Sequence, residues 1–320
     1  ALLELVKAGS TTVMENSANM EAVAQAMKES GLRSYLAAGK IHDYDLTPIR
    51  YGQFVQKKEI GESTLKAAMQ LFENWHGKEE GRMQCVIYPH ANDTCSPKLL
   101  RELKRISDHY KALVTVHFAQ TTREVERLRN AYHQTPAEFL IDVGLFNERL
   151  SGAHCIFIEE GDIDLMAQYG VTFINNCVIN NKRGAIPHTH IALQKGVNVG
   201  LGTDNMFGDI IETLRYAISN MRIDIPDFKI PTPYQALKMA TITGAKALNR
   251  SQELGSLEEG KLADLIMVDY MQPHLLPADK DNIVENLVYN GLGSDVFCNM
   301  VEGRIIYRKD QGTLWQEEEV

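Results

Sequence analysis

Leu113-Val114-Thr115-Val116-His117-Phe118 is the stretch on which the fold turns. It is rich in β-branched and apolar residues, which favours a strand. It runs into Ala119-Gln120-Thr121 and then into helical periodicity over residues 123–145. The same strand-then-helix unit repeats on both sides. Upstream, strands are predicted at 10–14, 34–38 and 83–88. Behind them come three helical stripes: Val23 and Met27, stopped by Gly31; Leu65, Met69, Phe72 and His76, stopped by Gly77; and Leu99, Leu103, Ile106 and Tyr110, started by Ser96-Pro97. Downstream, strands are predicted within 150–158, at 171–175 and at 197–203. Helices are predicted where Asp162 caps a short one, and over 187–195, 209–222 and 233–249. Seven such units predict a parallel α/β sheet with right-handed crossovers. Alternation alone leaves two architectures level: an open doubly wound sheet, and a (β/α)₈ barrel one unit short.

After Gly255 the texture changes. Short β runs at 262–268, 295–301 and 304–308 surround a helix at 281–289, and Glu302-Gly303 signals a hairpin. This predicts two domains, 1–254 and 255–320. The 320 residues carry 33 basic and 42 acidic side chains, a net charge of -9, with no Lys/Arg stripe. That argues against nucleic acid polymer as a partner. No run of 18 apolar residues exists to span a membrane as a helix. Cys85, Cys95, Cys155, Cys177 and Cys298 are odd in number and scattered, which reads as reduced, buried thiols of a cytoplasmic protein.

In a parallel α/β fold, chemistry gathers at the carboxyl ends of strands. His117, His154 and Asp204 all stand there, and imidazole with carboxylate suits Zn²⁺ or Fe²⁺. A lone histidine at such a place is more often a hydrogen-bonded core or loop residue; the joint occurrence of three weighs against that. His90, in the loop after the third strand, and Asn176, after the sixth, are candidate pocket residues. Asn205 and Asp209 are candidates to orient Asp204. His42, Asp43 and Asp45 read as exposed loop residues. His188-Thr189-His190 reads as the surface start of a short helix, since residues i and i+2 do not face together.

Six motifs in order then resemble the metal-dependent aminohydrolase branch of the amidohydrolase superfamily, which includes methylthioadenosine/S-adenosylhomocysteine, guanine and cytosine deaminases and triazine hydrolases. They are Ala8-Gly9-Ser10-Thr11-Thr12-Val13; Pro89-His90-Ala91-Asn92-Asp93-Thr94-Cys95-Ser96; Val116-His117-Phe118-Ala119-Gln120-Thr121; Ser151-Gly152-Ala153-His154-Cys155; Gly200-Leu201-Gly202-Thr203-Asp204-Asn205; and Gly255 through Asp264. The resemblance implies a TIM-type (β/α)₈ barrel followed by the C-terminal part of a β-sandwich. The expectation is that this chain omits the first βα unit with its His-x-His, which agrees with its Met-less, helical start at Ala1.

The resemblance also implies one divalent metal, Zn²⁺ or alternatively Fe²⁺, held by His117, Asp204 and His154. Asp204 would take a proton from the activated water, His154 would stabilise developing charge, and His90, Gln120 and Asn176 would contact a small N-heterocycle. Family members are often dimers. One departure stands out. Deaminases of this branch place Glu where this chain has Gln120, and an amide cannot transfer protons at neutral pH. Either the substrate needs no ring protonation, as in amide, imide or halide hydrolysis, or activity is lost and the barrel only binds a small molecule, or the Gln replaces a native Glu.

Overall fold

The computed structural model describes residues 1–225 and 230–315. Seven parallel strands follow one another in chain order: β1 (Thr12–Ser17), β2 (Arg33–Ala38), β3 (Met83–Val86), β4 (Val114–Phe118), β5 (Leu150–His154), β6 (Thr172–Asn175) and β7 (Val199–Leu201). Full ladders join β1 to β2 to β3, and β4 to β5 to β6 to β7. Between the two groups the pairing continues as single parallel bridges, Ile87 with Val114 and Ala91 with His117. The arrangement is therefore an arc with one sequential order. A doubly wound sheet would reverse its strand order, so the alternative is excluded.

Alternation along each strand sorts the side chains. In β4, Val114, Val116 and Phe118 are buried against the outer helices, while Thr115 and His117 face the inside of the arc. In and after β3, Cys85 and Ile87 join the outer core, and Val86 and Tyr88 join an inner cluster with Tyr35, Ala37 and Leu113. The outer layer is held by leucine-rich helix faces such as Leu99, Leu100 and Leu103 of Pro97–Tyr110. Each fully buried side chain of that size contributes roughly 1.5–3 kcal/mol.

The second sheet is antiparallel, in the order β11 (Gly312–Thr313), β10 (Arg304–Arg308), β9 (Val296–Val301), β8 (Leu265–Val268). The β9–β10 turn is the expected Glu302-Gly303, with φ of +52° and +76°. Both central residues in the left-handed region match a tight hairpin turn that follows strand twist.

Several expectations need correction. The segment 233–249 is not one helix. It divides into Pro233–Met239 and Ile242–Ala247, because Thr241 leaves helical geometry at φ -125° and ψ -97°. The helical patterns expected over 123–145 form two helices, Thr122–Tyr132 and Pro136–Asp142, separated by a left-handed residue at His133. Asp162 does not cap its helix. Glu159 holds that position, and Asp162 is buried, its carboxylate accepting from the Thr135 hydroxyl at 2.5 Å. All five cysteines are buried and unpaired, as expected.

Candidate active site

The carboxyl ends of β3 to β7 open into one mouth, and three sequence-predicted residues meet there. His117 is the penultimate residue of β4, with its side chain inward. Its Nδ1–H donates to the His90 carbonyl at 2.6 Å, so the lone pair of Nε2 is left pointing into the mouth. His154 ends β5 with φ +75°. In register it neighbours the outward-facing Phe118, and the left-handed backbone breaks that alternation. Such a conformation is costly and tends to persist at functional sites. The His154 ring lies 5.3 Å from that of His117, centroid to centroid.

The Nδ1–H of His154 donates to Asn180 Oδ1 at 3.0 Å. Its Nε2 therefore presents a lone pair, which meets the Gln120 side-chain amide at 3.2 Å and Asp204 Oδ2 at 3.5 Å. Burial is the first cause that holds the His154 imidazole below its ordinary range. His117 is pushed down to about 4 by burial first and by His154 next, and His90 down to about 2 by burial first and by His117 next. All three rings are thus neutral at pH 7. A neutral imidazole lone pair facing a carboxylate is repulsive unless a proton or cation lies between them. Two neutral imidazoles with fixed tautomers beside a carboxylate are a donor set of the right chemistry for Zn²⁺. Among the described residues, however, no three His, Cys, Asp or Glu side chains converge at metal-ligand distances.

The loop that carries Gln120 is anchored from behind. Glu124, 1% exposed, accepts from the Ala119 and Gln120 amides, each at 2.9 Å. Burial first, and then the Asp93 charge, push its carboxyl up to about 8. The sequence carried a signal for this residue: Thr121-x-x-Glu124 has capping-box spacing, although Glu124 reaches further back than Thr121.

The remaining candidates divide. His90 joins the mouth, its ring 5.1 Å from His117 and its Nδ1 at 3.2 Å from the Thr94 hydroxyl. Asn176 is buried after β6, its Oδ1 lying where a Cβ on Gly202 would stand, 2.1 Å away. Asn205 does touch Asp204, but through its backbone amide, at 2.6 Å to Oδ1. Asp209 turns elsewhere, capping Ile210–Asp224 and accepting from the Gly293 amide at 2.7 Å. Asp43 is not exposed. It accepts from the Ser96 amide at 2.7 Å and from Gln56 at 2.8 Å, tying the loop after β2 to the loop after β3. His188 precedes the helix Thr189–Gln194, and its ring meets that of His190, centroids 6.0 Å apart.

Sequence reasoning missed Asn180 and Tyr88. Asn180 lies in the polar run after β6, four residues past Asn176. Tyr88 continues the inward alternation of Val86, and its hydroxyl lies 3.2 Å from His117 Nε2 and 3.3 Å from Nδ1. Burial first, and the charge of Asp204 next, raise its pKa, so it stays a neutral phenol.

A sequential parallel β/α arc with imidazoles and a carboxylate at its strand ends defines a TIM-barrel-type protein with an enzyme-like mouth. The chain belongs to the amidohydrolase family, whose model matches residues 1–306. The 5-methylthioadenosine/S-adenosylhomocysteine deaminase of Caldanaerobacter subterraneus is 34% identical over 321 residues, covering 97% of this chain and 69% of that protein. The 5'-deoxyadenosine deaminase of Methanosarcina acetivorans is 31% identical over 325 residues, covering 100% of this chain and 72% of its own length. Among solved structures, an adenosine deaminase from Xanthomonas campestris with bound zinc superimposes with a TM-score of 0.88 at 23% identity, over 100% of this chain and 71% of that one. An atrazine chlorohydrolase from Arthrobacter aurescens complexed with zinc gives 0.85 at 23% identity, over 99% and 73%. These structural likenesses speak for the fold. Among the described residues, no helix is long and apolar enough to cross a membrane.

Proposed function

We propose that this chain belongs to a metal-dependent aminohydrolase that deaminates a small N-heterocycle, an aminopurine nucleoside foremost. The observation that carries the reading is the meeting of His117, His154 and Asp204 at one mouth, with both imidazoles neutral and their tautomers fixed by His90 and Asn180. The names of the relatives support the substrate class, and the zinc-bound neighbours support the metal. In this reading the arc is strands two to eight of an eight-stranded barrel, residues 1–254 are the barrel domain, and 255–320 are the C-terminal part of a β-sandwich. The five buried thiols fit a cytoplasmic protein, and a homodimer is part of the proposal.

His117, His154 and Asp204 would hold Zn²⁺, or Fe²⁺ as the alternative. When bound, the ion activates water for attack at neutral pH. Asp204 accepts the proton that the attacking water loses. His154, held by Asn180, stabilises charge as it develops. Gln120 donates and accepts hydrogen bonds to the substrate, and His90 and Asn176 line its seat.

Position 120 favours a second reading. The Gln120 amide is engaged as a donor to His154, and it cannot deliver a proton to a ring nitrogen. Substrates whose leaving group departs without ring protonation, such as amides, imides and aryl halides, fit this mouth as well. On the full-length protein, elemental analysis should find stoichiometric Zn or Fe that is lost in His117→Ala, and ammonia should be released from aminopurine nucleosides or aminotriazines. Halide release without ammonia would select the second reading. A folded, metal-free and inactive protein would leave only a small-molecule-binding barrel.

A further inference from the structure

We propose that Tyr88 is a substrate-contacting residue, whose hydroxyl donates a hydrogen bond to the heteroatom on the reacting carbon. The inference rests on the function proposed above and adds a group to the same site. Tyr88 lies two residues past the end of β3, where strand alternation turns it inward. Its ring forms part of the floor of the mouth, meeting the His117 ring edge-on at 5.6 Å and 70°.

The hydroxyl is nearly equidistant from the two nitrogens of His117, at 3.2 and 3.3 Å. An atom so placed lies out of the ring plane, away from the in-plane direction of either nitrogen. The Nδ1 proton is already given to His90, and Nε2 accepts best along its in-plane lone pair. The phenol proton therefore has no well-aligned acceptor on His117. The Asn16 side chain hydrogen-bonds the same hydroxyl, and the charge of Asp204 is felt there. Tyr88 is 3% exposed, so a donor here acts with little competition from water.

The chemistry of the reaction calls for such a donor. Gln120 supplies hydrogen bonds but no mobile proton. A leaving atom that gathers negative charge gains from a fixed, neutral donor aimed at it, with no proton transfer required. The demand is largest for a poor leaving group such as an amine and smallest for a halide.

Tyr88→Phe removes the hydroxyl and keeps the ring. In the full-length protein, kcat/KM for amine-leaving substrates should fall roughly 10- to 100-fold, the range for one lost hydrogen bond that matters in the transition state. For matched chloro-substituted heterocycles it should fall by less than about 3-fold. A loss equal for both substrate classes, or no loss for either, overturns the proposal, because a merely structural role moves both together. Circular dichroism and metal content should match the wild type. Binding separates this from failure of the enzymatic reading. If the wild type turns over neither class, calorimetric titration with an aminopurine nucleoside decides. A dissociation constant raised about 10-fold in Tyr88→Phe supports the contact, and an unchanged one overturns it.

Discussion

Two regions of this molecule bury charge, and they do so in opposite ways. At the seam between the arc and the antiparallel sheet, Arg33 is 1% exposed and fully engaged. Its guanidinium meets both carboxylate oxygens of Asp264, at 2.9 and 3.1 Å, and Glu302 at 2.9 Å. The Asp264 carboxylate also takes the Glu302 amide at 2.9 Å. At the mouth, buried polar groups are left wanting. Asn175 Oδ1, Asn180 Nδ2 and both polar atoms of Asn92 have no partner among the described residues. Ala119, His154, Cys155 and Asp204 hold left-handed backbone there. The Arg33 cluster is satisfied and stabilises. The mouth keeps strain and unmet hydrogen-bonding capacity, the usual mark of a place meant for a ligand.

This contrast can be broken by substitutions that separate activity from stability. The largest expected effect is at Asp204. In the full-length protein, Asp204→Asn should lower kcat by about 10²–10⁴-fold, the scale of a lost general base, with little change in unfolding midpoint. A matching loss of stability would make the mouth a structural site instead. At the seam the effects reverse. Arg33→Ala strands the buried Asp264 carboxylate and should cost about 3–5 kcal/mol in denaturant unfolding, with kcat nearly kept in whatever remains folded, whereas Arg33→Met should cost much less in the same denaturant series if the carboxylate partner Asp264 is also made apolar.

Glu124 lies between these extremes. Glu124→Gln keeps the volume but turns its carboxamide NH2 toward one of the two loop amides, and an unmet buried donor costs about 1–3 kcal/mol. Both stability and kcat should fall, since the Ala119–Gln120 turn aims Gln120 at His154. Loss of stability alone would show that the turn tolerates displacement.

The smallest and most graded effect is with pH. Imidazoles whose folded pKa lies below the unfolded value of about 6.5 stabilise fully above 6.5 and lose that contribution as pH falls toward the folded value. With His117 at about 4 and His90 at about 2, stability of the metal-stripped protein should decline steadily below pH 6.5 and still be falling at pH 4. His117→Asn should shallow that slope. A slope unaltered by the change would place the acid sensitivity elsewhere.

Much of this was legible in the chain. The parallel βα units followed from alternation, because right-handed crossovers join successive parallel strands; the strand order did not, since alternation alone fits a doubly wound sheet as well as a barrel. His117, His154 and Asp204 were found because strand ends in such folds share one face. The loops were less legible. Asp43 reads as a surface residue, yet it is buried, since its carboxylate finds two donors 13 and 53 residues away. Asp209 sits near Asp204 in sequence but turns to cap a helix and to hold Gly293. Local polarity does not say which donor a carboxylate will meet.

The amino-acid pattern by itself determined the layer structure, the succession of parallel βα units and the residue types at the mouth, because periodicity and strand polarity are local properties. Tertiary structure alone decided which nitrogen of each imidazole faces the mouth, that Asn180 stands behind His154 and Glu124 behind the Gln120 loop, and that the Tyr88 hydroxyl lies beside the His117 ring. Those facts depend on distances between elements far apart in the chain, which only packing sets.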